Sequence, residues 1–130
     1  MYYDFNPELP EPWNVIHPFQ LPAVRQLANS TFSPDVEAIY LFGGSLELSC
    51  HIYSDLDLYV ITNNSEISAV YDSVYKLCLP LKKRFDILVA SSEDFSFYSK
   101  EHGSVEAKIR EKGVCIYAKE TYNPAGPRQG

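Results

Sequence analysis

Apolar residues along this 130-residue chain fall into short runs, each closed by glycine, proline, asparagine or serine. Leu21, Val24, Leu27 and Ala28 recur at helical spacing, and Pro22 suits a first turn, so a helix is predicted to about Ser30. Val36–Phe42 is a near-continuous apolar run that stops at Gly43-Gly44, the pattern of a strand followed by a tight turn. Residues 56–61 form a second strand pattern, ended by Asn63-Asn64. Ile67, Val70, Val74 and Leu77 make one helical stripe, with Ser65 as the expected cap and Pro80 as the expected stop. Residues 85–90 read as a third strand. Ser91 or Ser92 then opens a short helix carrying Phe95, Phe97 and Tyr98. Ser104 caps a last helix that ends near Gly113, and residues 114–117 read as a final strand. The order is helix, strand, strand, helix, strand, helix, helix, strand. It predicts an α/β (α+β) domain, a mixed sheet packed with helices.

Prolines set the ends apart. Five of the nine fall within the first 22 residues, so residues 1–20 read as an irregular arm, residues 21–120 as the domain and residues 121–130 as a loose tail. Tyr2, Tyr3, Phe5, Trp13, Ile16 and Phe19 make the arm too apolar for a free linker. It is expected to pack along the body or against a partner.

Composition narrows the class. Hydrophobic residues at 45% and charged residues at 22% are those of a folded globular protein. No apolar run reaches the about 18 residues of a membrane span, and the start Met1-Tyr2-Tyr3-Asp4 does not resemble a signal peptide. A formal net charge of −6 argues against broad, sequence-independent nucleic-acid binding, while leaving local phosphate binding open. Cys50, Cys78 and Cys115 are an odd, scattered set with no C-x-x-C pair. They read as reduced thiols of a cytoplasmic protein rather than as a disulfide or zinc framework.

Three acidic residues and one glycine turn carry the chemistry. Asp55 and Asp57 lie two apart at the start of a strand and so project to one side, about 6.5–7 Å apart at Cα. Asp86 sits inside the third strand between Phe85 and Ile87, facing away from their apolar side. A carboxylate amid such residues is costly unless paired or liganded. If the two strands are neighbours, three carboxylates converge, and a divalent cation is the usual remedy for their repulsion. Without metal, either at least one of the three is expected to hold its proton more tightly than an ordinary carboxylate, or the loop of residues 45–54 is expected to stay mobile. Gly43-Gly44-Ser45 can offer backbone N–H groups and a hydroxyl to a phosphate chain.

The stretch Leu41-Phe42-Gly43-Gly44-Ser45, followed by Ser54-Asp55-Leu56-Asp57-Leu58, resembles the signature of the nucleotidyltransferase superfamily that includes DNA polymerase beta. It resembles most closely the minimal nucleotidyltransferase family of small stand-alone domains. Many of these act as antitoxins beside a HEPN-domain protein. The resemblance covers about residues 21–120, including the closing segment 109–117. It implies a single nucleotidyltransferase domain and transfer of a nucleoside monophosphate from a nucleoside triphosphate, ATP above others, to an acceptor hydroxyl. A tyrosine of a HEPN-type partner is the acceptor it suggests. By the same resemblance Gly43, Gly44 and Ser45 would hold the phosphates, and Asp55, Asp57 and Asp86 would hold Mg²⁺ or Mn²⁺, with Asp86 helping to activate the acceptor.

In one place the chain departs from that pattern. Family members usually carry basic residues after the Gly-Ser, whereas this chain has Leu46-Glu47-Leu48-Ser49, and no Lys or Arg occurs between Arg25 and Lys76. Lys82, Lys83 and Arg84 are the nearest compensating cations. The departure, with the aromatic arm and ten tyrosines, favours the alternative reading: a non-catalytic binding module or antitoxin acting by occlusion on a protein partner, or a homo-oligomer.

Overall fold

The computed structural model describes residues 4–51 and 54–123. Its strands are β1 (Val36–Phe42), β2 (Leu56–Thr62), β3 (Phe85–Ser91) and β4 (Val114–Ala118). Its helices are α1 (Leu21–Ala28), α2 (Ile67–Cys78), α3 (Ser92–Tyr98) and α4 (Val105–Lys112). The strands form one mixed sheet in the order β3-β2-β1-β4. β1 pairs antiparallel with both β2 and β4, and β2 pairs parallel with β3 through the α2 crossover. The element order is the one the apolar pattern predicts.

Both faces of the sheet are covered, which is why β1 and β2 read as near-continuous apolar runs rather than alternating ones. One face carries Ile39, Leu41, Leu56, Leu58 and Val60, packed against Val24 and Leu27 of α1 and Val70, Val74 and Cys78 of α2. The other carries Ala38, Tyr40, Tyr59 and Ile61 under Phe95 of α3 and Ile109 of α4. A register shift between Val36 and Ala38 moves the two residues to opposite faces, as a bulge does. Tyr59 donates from its hydroxyl to Glu106 Oε2 at 2.8 Å, tying β2 to α4. Burial pushes the Tyr59 phenol up, and the hydrogen bond to Glu106 adds to it.

Several local expectations resolve differently. Ser65 does not cap α2. Asn64 Oδ1 accepts the Glu66 N–H at 2.7 Å instead, so an asparagine turn one residue earlier sets the helix start. α2 ends at Cys78, just ahead of Pro80 as expected, but Pro80 does not end the coiling. It lies in one further 3₁₀ turn, Leu79–Leu81, near the start, where a missing N–H costs nothing, and the reversal falls at Lys82, with φ +56°. Asp86 faces away from Phe85 and Ile87 as expected, and it is exposed because β3 is an edge strand whose outer side is uncovered at Asp86 and Leu88. Tyr122, in the expected loose tail, shares a hydrogen bond of 3.0 Å with the Tyr40 hydroxyl. The rest of that tail, residues 124–130, and the arm's Tyr2 and Tyr3 lie outside the described residues.

The arm packs on its own domain. Val15 and Ile16 join the α1/α2 core, Trp13 lies against it, and the Arg25 guanidinium sits 5.5 Å from the Trp13 ring centre. Cys50, Cys78 and Cys115 are free thiols, and burial pushes Cys78 up to about 11, the behaviour of an inert core thiol. Among the described residues no helix is long and apolar enough to cross a membrane. Ile16, 1% exposed, tests whether the arm is part of the fold. Ile16→Ala should lower unfolding free energy by about 2–4 kcal/mol in a denaturant melt, and a loss below about 0.5 kcal/mol would mean that the arm is dispensable.

Candidate active site

Strand register brings the predicted site residues to one end of the sheet. Phe42, the last residue of β1, pairs with Asp57 of β2, and Asp57 pairs with Asp86 of β3. Adjacent strands stand about 4.8 Å apart, so Asp57 lies one strand from Asp86 on one side and one strand from the glycine turn on the other. Asp57 and Asp86 share the face on which Tyr59 and Ile61 enter the α3/α4 core. The two carboxylates are therefore the residues at which that face leaves the core and meets solvent.

The turn closes directly over Asp57. Gly43 has φ +74°, and a Cβ built on it would collide with the Asp57 carboxylate. Gly44 donates its backbone N–H to that carboxylate. Burial raises the Asp57 pKa above the ordinary carboxylate value, Asp86 and then Asp55 raise it further, and the Gly44 hydrogen bond pulls the other way. The folded chain thus holds this proton more tightly than the unfolded one. Ionising Asp57 costs the fold stability, and that cost is present in full above its folded-state pKa.

Asp55 is placed otherwise. It precedes β2, and its Oδ1 meets Arg84 Nε at 3.2 Å, while the Leu56 N–H donates to the Arg84 carbonyl at 2.9 Å. The β2 and β3 entrances are thus joined by backbone and by charge. The Arg84 side chain is 81% exposed, so the pair contributes about 0–1 kcal/mol and leaves Asp55 free to exchange partners. The neighbourhood is less purely negative than the sequence suggests, because Arg84 supplies a cation to it.

Ser45 is fully buried, and its hydroxyl has no hydrogen-bond partner among the described residues. Its carbonyl accepts the His17 N–H at 2.9 Å. Nearby, the buried Gln20 side chain donates to the Ser54 carbonyl at 2.7 Å, and Lys83 Nζ donates to the Phe19 carbonyl at 2.8 Å. Residues 17–20 therefore hold both ends of the 45–54 segment and the entrance to β3. Sequence reasoning finds none of these contacts. His17 and Gln20 carry no motif, and Gln20 reads only as the residue before a helix.

Beside the turn lies a cavity of about 730 Å³. Phe42, Gly43, Leu46 and Glu47 form one wall, and His102, Gly103 and the α4 residues Ala107, Lys108, Glu111 and Lys112 form the other.

In donor chemistry the three carboxylates fit a hard divalent cation such as Mg²⁺, and the orphaned Ser45 hydroxyl and the open space beside Gly44 fit a ligand's oxygens. The carboxylates are not drawn together on one point. Among the described residues no group of three His, Cys, Asp or Glu is arranged to hold a metal ion, and Asp55 is turned to Arg84.

A mixed sheet with a glycine turn over a strand-borne aspartate, and a second aspartate on the neighbouring strand, defines a nucleotidyltransferase type of domain. Residues 25–122, most of the chain, match the family described as Polymerase beta, Nucleotidyltransferase, and the chain belongs to that family. No curated protein matches the chain.

Two outcomes follow from the turn geometry. Gly43→Ala should cost about 1–3 kcal/mol of stability, from the positive φ and the collision with Asp57, and adding Asp57→Ala should restore part of it. Equal stability of Gly43→Ala and wild type would exclude the close approach. Asp57→Asn keeps an acceptor for Gly44 but removes the charge. In chelator-containing buffer at neutral pH it should melt about 2–4 °C above wild type, and a lower melting temperature would show that the charge is not under strain.

Proposed function

We propose that the protein transfers a nucleoside monophosphate from a nucleoside triphosphate, ATP above others, to an acceptor hydroxyl, with release of pyrophosphate. The observation that carries this reading is the alignment of Asp86, Asp57 and the Gly43-Gly44 turn across three neighbouring strand ends. Asp57 and Asp86, joined by Asp55, would hold Mg²⁺ or Mn²⁺. When bound, the metal would neutralise the triphosphate and polarise the α-phosphate. Gly43 and Gly44 let the backbone approach the phosphates, and Ser45 adds a hydroxyl at the turn. Asp86, exposed on the edge strand, is open to an acceptor arriving from solvent and takes its proton. The acceptor oxygen bonds to the α-phosphorus, the bond from that phosphorus to the bridging oxygen breaks, and pyrophosphate leaves with those electrons.

The acceptor arrives from outside the nucleotidyltransferase domain, on the solvent-open side of Asp86. Resemblance to the minimal nucleotidyltransferases supports a tyrosine of a HEPN-type partner and an antitoxin role. Reduced thiols support a cytoplasmic setting. A second reading, non-catalytic occlusion of a partner, is favoured by one observation: Asp55 faces Arg84 and the carboxylates do not converge on a metal point.

Pyrophosphate release from ATP and Mg²⁺, with and without the product of the adjacent gene, separates the two. Wild type should release it and Asp57→Ala should be slower by about 100-fold or more. Equal rates under every condition would remove the enzyme reading. Millimolar Mg²⁺ or Mn²⁺ should raise the wild-type melting temperature, and metal plus triphosphate should raise it further, while Asp57→Ala stays blind to metal. An identical response of the two proteins would reduce the carboxylates to a solvated face. Neutralisation of the partner that survives Asp55→Ala with Asp57→Ala would establish occlusion.

A further inference from the structure

We infer that the cavity between the glycine turn and α4 takes the β- and γ-phosphates of the nucleoside triphosphate, held by Lys108 and Lys112. The inference rests on the transferase reading above and assigns its missing cations. No Lys or Arg lies between Arg25 and Lys76 in the chain, and Arg84, the cation at the carboxylates, is engaged with Asp55. The fold supplies the deficit from elsewhere. Lys108 and Lys112 are four residues apart, hence on one face of α4, and both line the cavity opposite Gly43.

Placement and charge agree. Phe42, which lines the cavity, pairs directly with Asp57, so the cavity lies on the β1 side of Asp57, opposite Asp86. An α-phosphate at Asp57 would therefore direct its two-phosphate tail either toward Asp86, another carboxylate, or into this cavity. The cavity offers two ammonium groups from one helix face, whereas on the Asp86 side Lys83 is bonded to the Phe19 carbonyl and Arg84 to Asp55. Neither Lys108 nor Lys112 is tied up in an ion pair among the described residues, although Glu47 and Glu111 share the lining. With two acids, two ammonium groups and His102, the lining is charge-balanced, in contrast to the carboxylate cluster beside it. The α4 wall is also rigid. Ile109 is fully buried and Glu106 is bonded to Tyr59, so the lysines project from a fixed helix. At about 730 Å³ the cavity is within the size range of small-molecule sites, about 300–1,000 Å³.

The rival occupant is the nucleoside end, stacked on Phe42 and Leu46. Calorimetric titration with ATP, inorganic tripolyphosphate and adenosine at fixed Mg²⁺ distinguishes the two. The proteins compared are wild type, Lys108→Gln/Lys112→Gln and Lys108→Arg/Lys112→Arg. The Gln variant should bind ATP and tripolyphosphate about tenfold or more weakly and adenosine unchanged, and the Arg variant should retain wild-type affinity. Both lysines are exposed, so the Gln variant should melt with wild type, and its melting curve is the control for folding. Unchanged ATP affinity in the Gln variant, or a loss confined to adenosine, would overturn the assignment. If that happens while Asp57→Ala still loses pyrophosphate release, the transferase reading stands without it. If wild type binds neither ATP nor tripolyphosphate, both fall together.

Discussion

The Asp57 carboxylate is confined. Its backbone is fixed between two strands, its side chain lies against Gly43, and the nearest group across the parallel pair is another carboxylate. Relaxing any of these would shift β2. Because Leu56 and Leu58 on one face and Tyr59 on the other are essentially inaccessible to solvent, a one-residue slip would invert the whole strand between two cores. The two-sided core therefore enforces a close approach of like charges at the strand end. Gly43 follows from the same constraint, since the turn must pass where a Cβ would meet Asp57. So does the raised Asp57 pKa.

Around that point the fold distributes compensation instead of concentrating it. Gly44 contributes a backbone dipole, Arg84 balances Asp55 from the β3 entrance, and the arm holds the turn through His17 and the 54 end through Gln20. None of these quenches Asp57 itself. Arg84 is too exposed to bind tightly, and the arm's contacts are to backbone carbonyls, so they set position without supplying charge. What remains is a preorganised, under-neutralised carboxylate with a second one beside it. That is a poor structural element and a good place for a cation and a phosphate.

Much of this was legible in the chain. The apolar run Val36–Phe42 ending on Gly43-Gly44 identified a buried central strand and its turn, because residues confined on both faces leave an unbroken pattern. The alternating pattern around Asp57 and the Phe85-Asp86-Ile87 triplet put these two carboxylates on strands for the same periodic reason. Less was legible where partners are distant in sequence. Asp55 reads as the twin of Asp57, yet lying just outside β2 it turns to Arg84, 29 positions away. Asp86 reads as facing away from Phe85 and Ile87, but whether that side is covered depends on edge position, which only the sheet order reveals. Ser65 carries a strong capping preference that a neighbouring asparagine overrides, while Pro80 ends α2 as its preference predicts but is followed by one 3₁₀ turn. Arg84, His17 and Gln20 act through long-range contacts that no local pattern encodes.

The central claim is that Asp57 is held in a raised-pKa state by burial and by its acidic neighbours. Carbon-detected NMR titration of the aspartate side chains in metal-free buffer measures this directly, in wild type and in Asp86→Asn. Asp57 should titrate above the ordinary carboxylate range in wild type and move down when Asp86 loses its charge. Titration of Asp57 at an ordinary carboxylate value in wild type, unmoved by Asp86→Asn, would contradict the account.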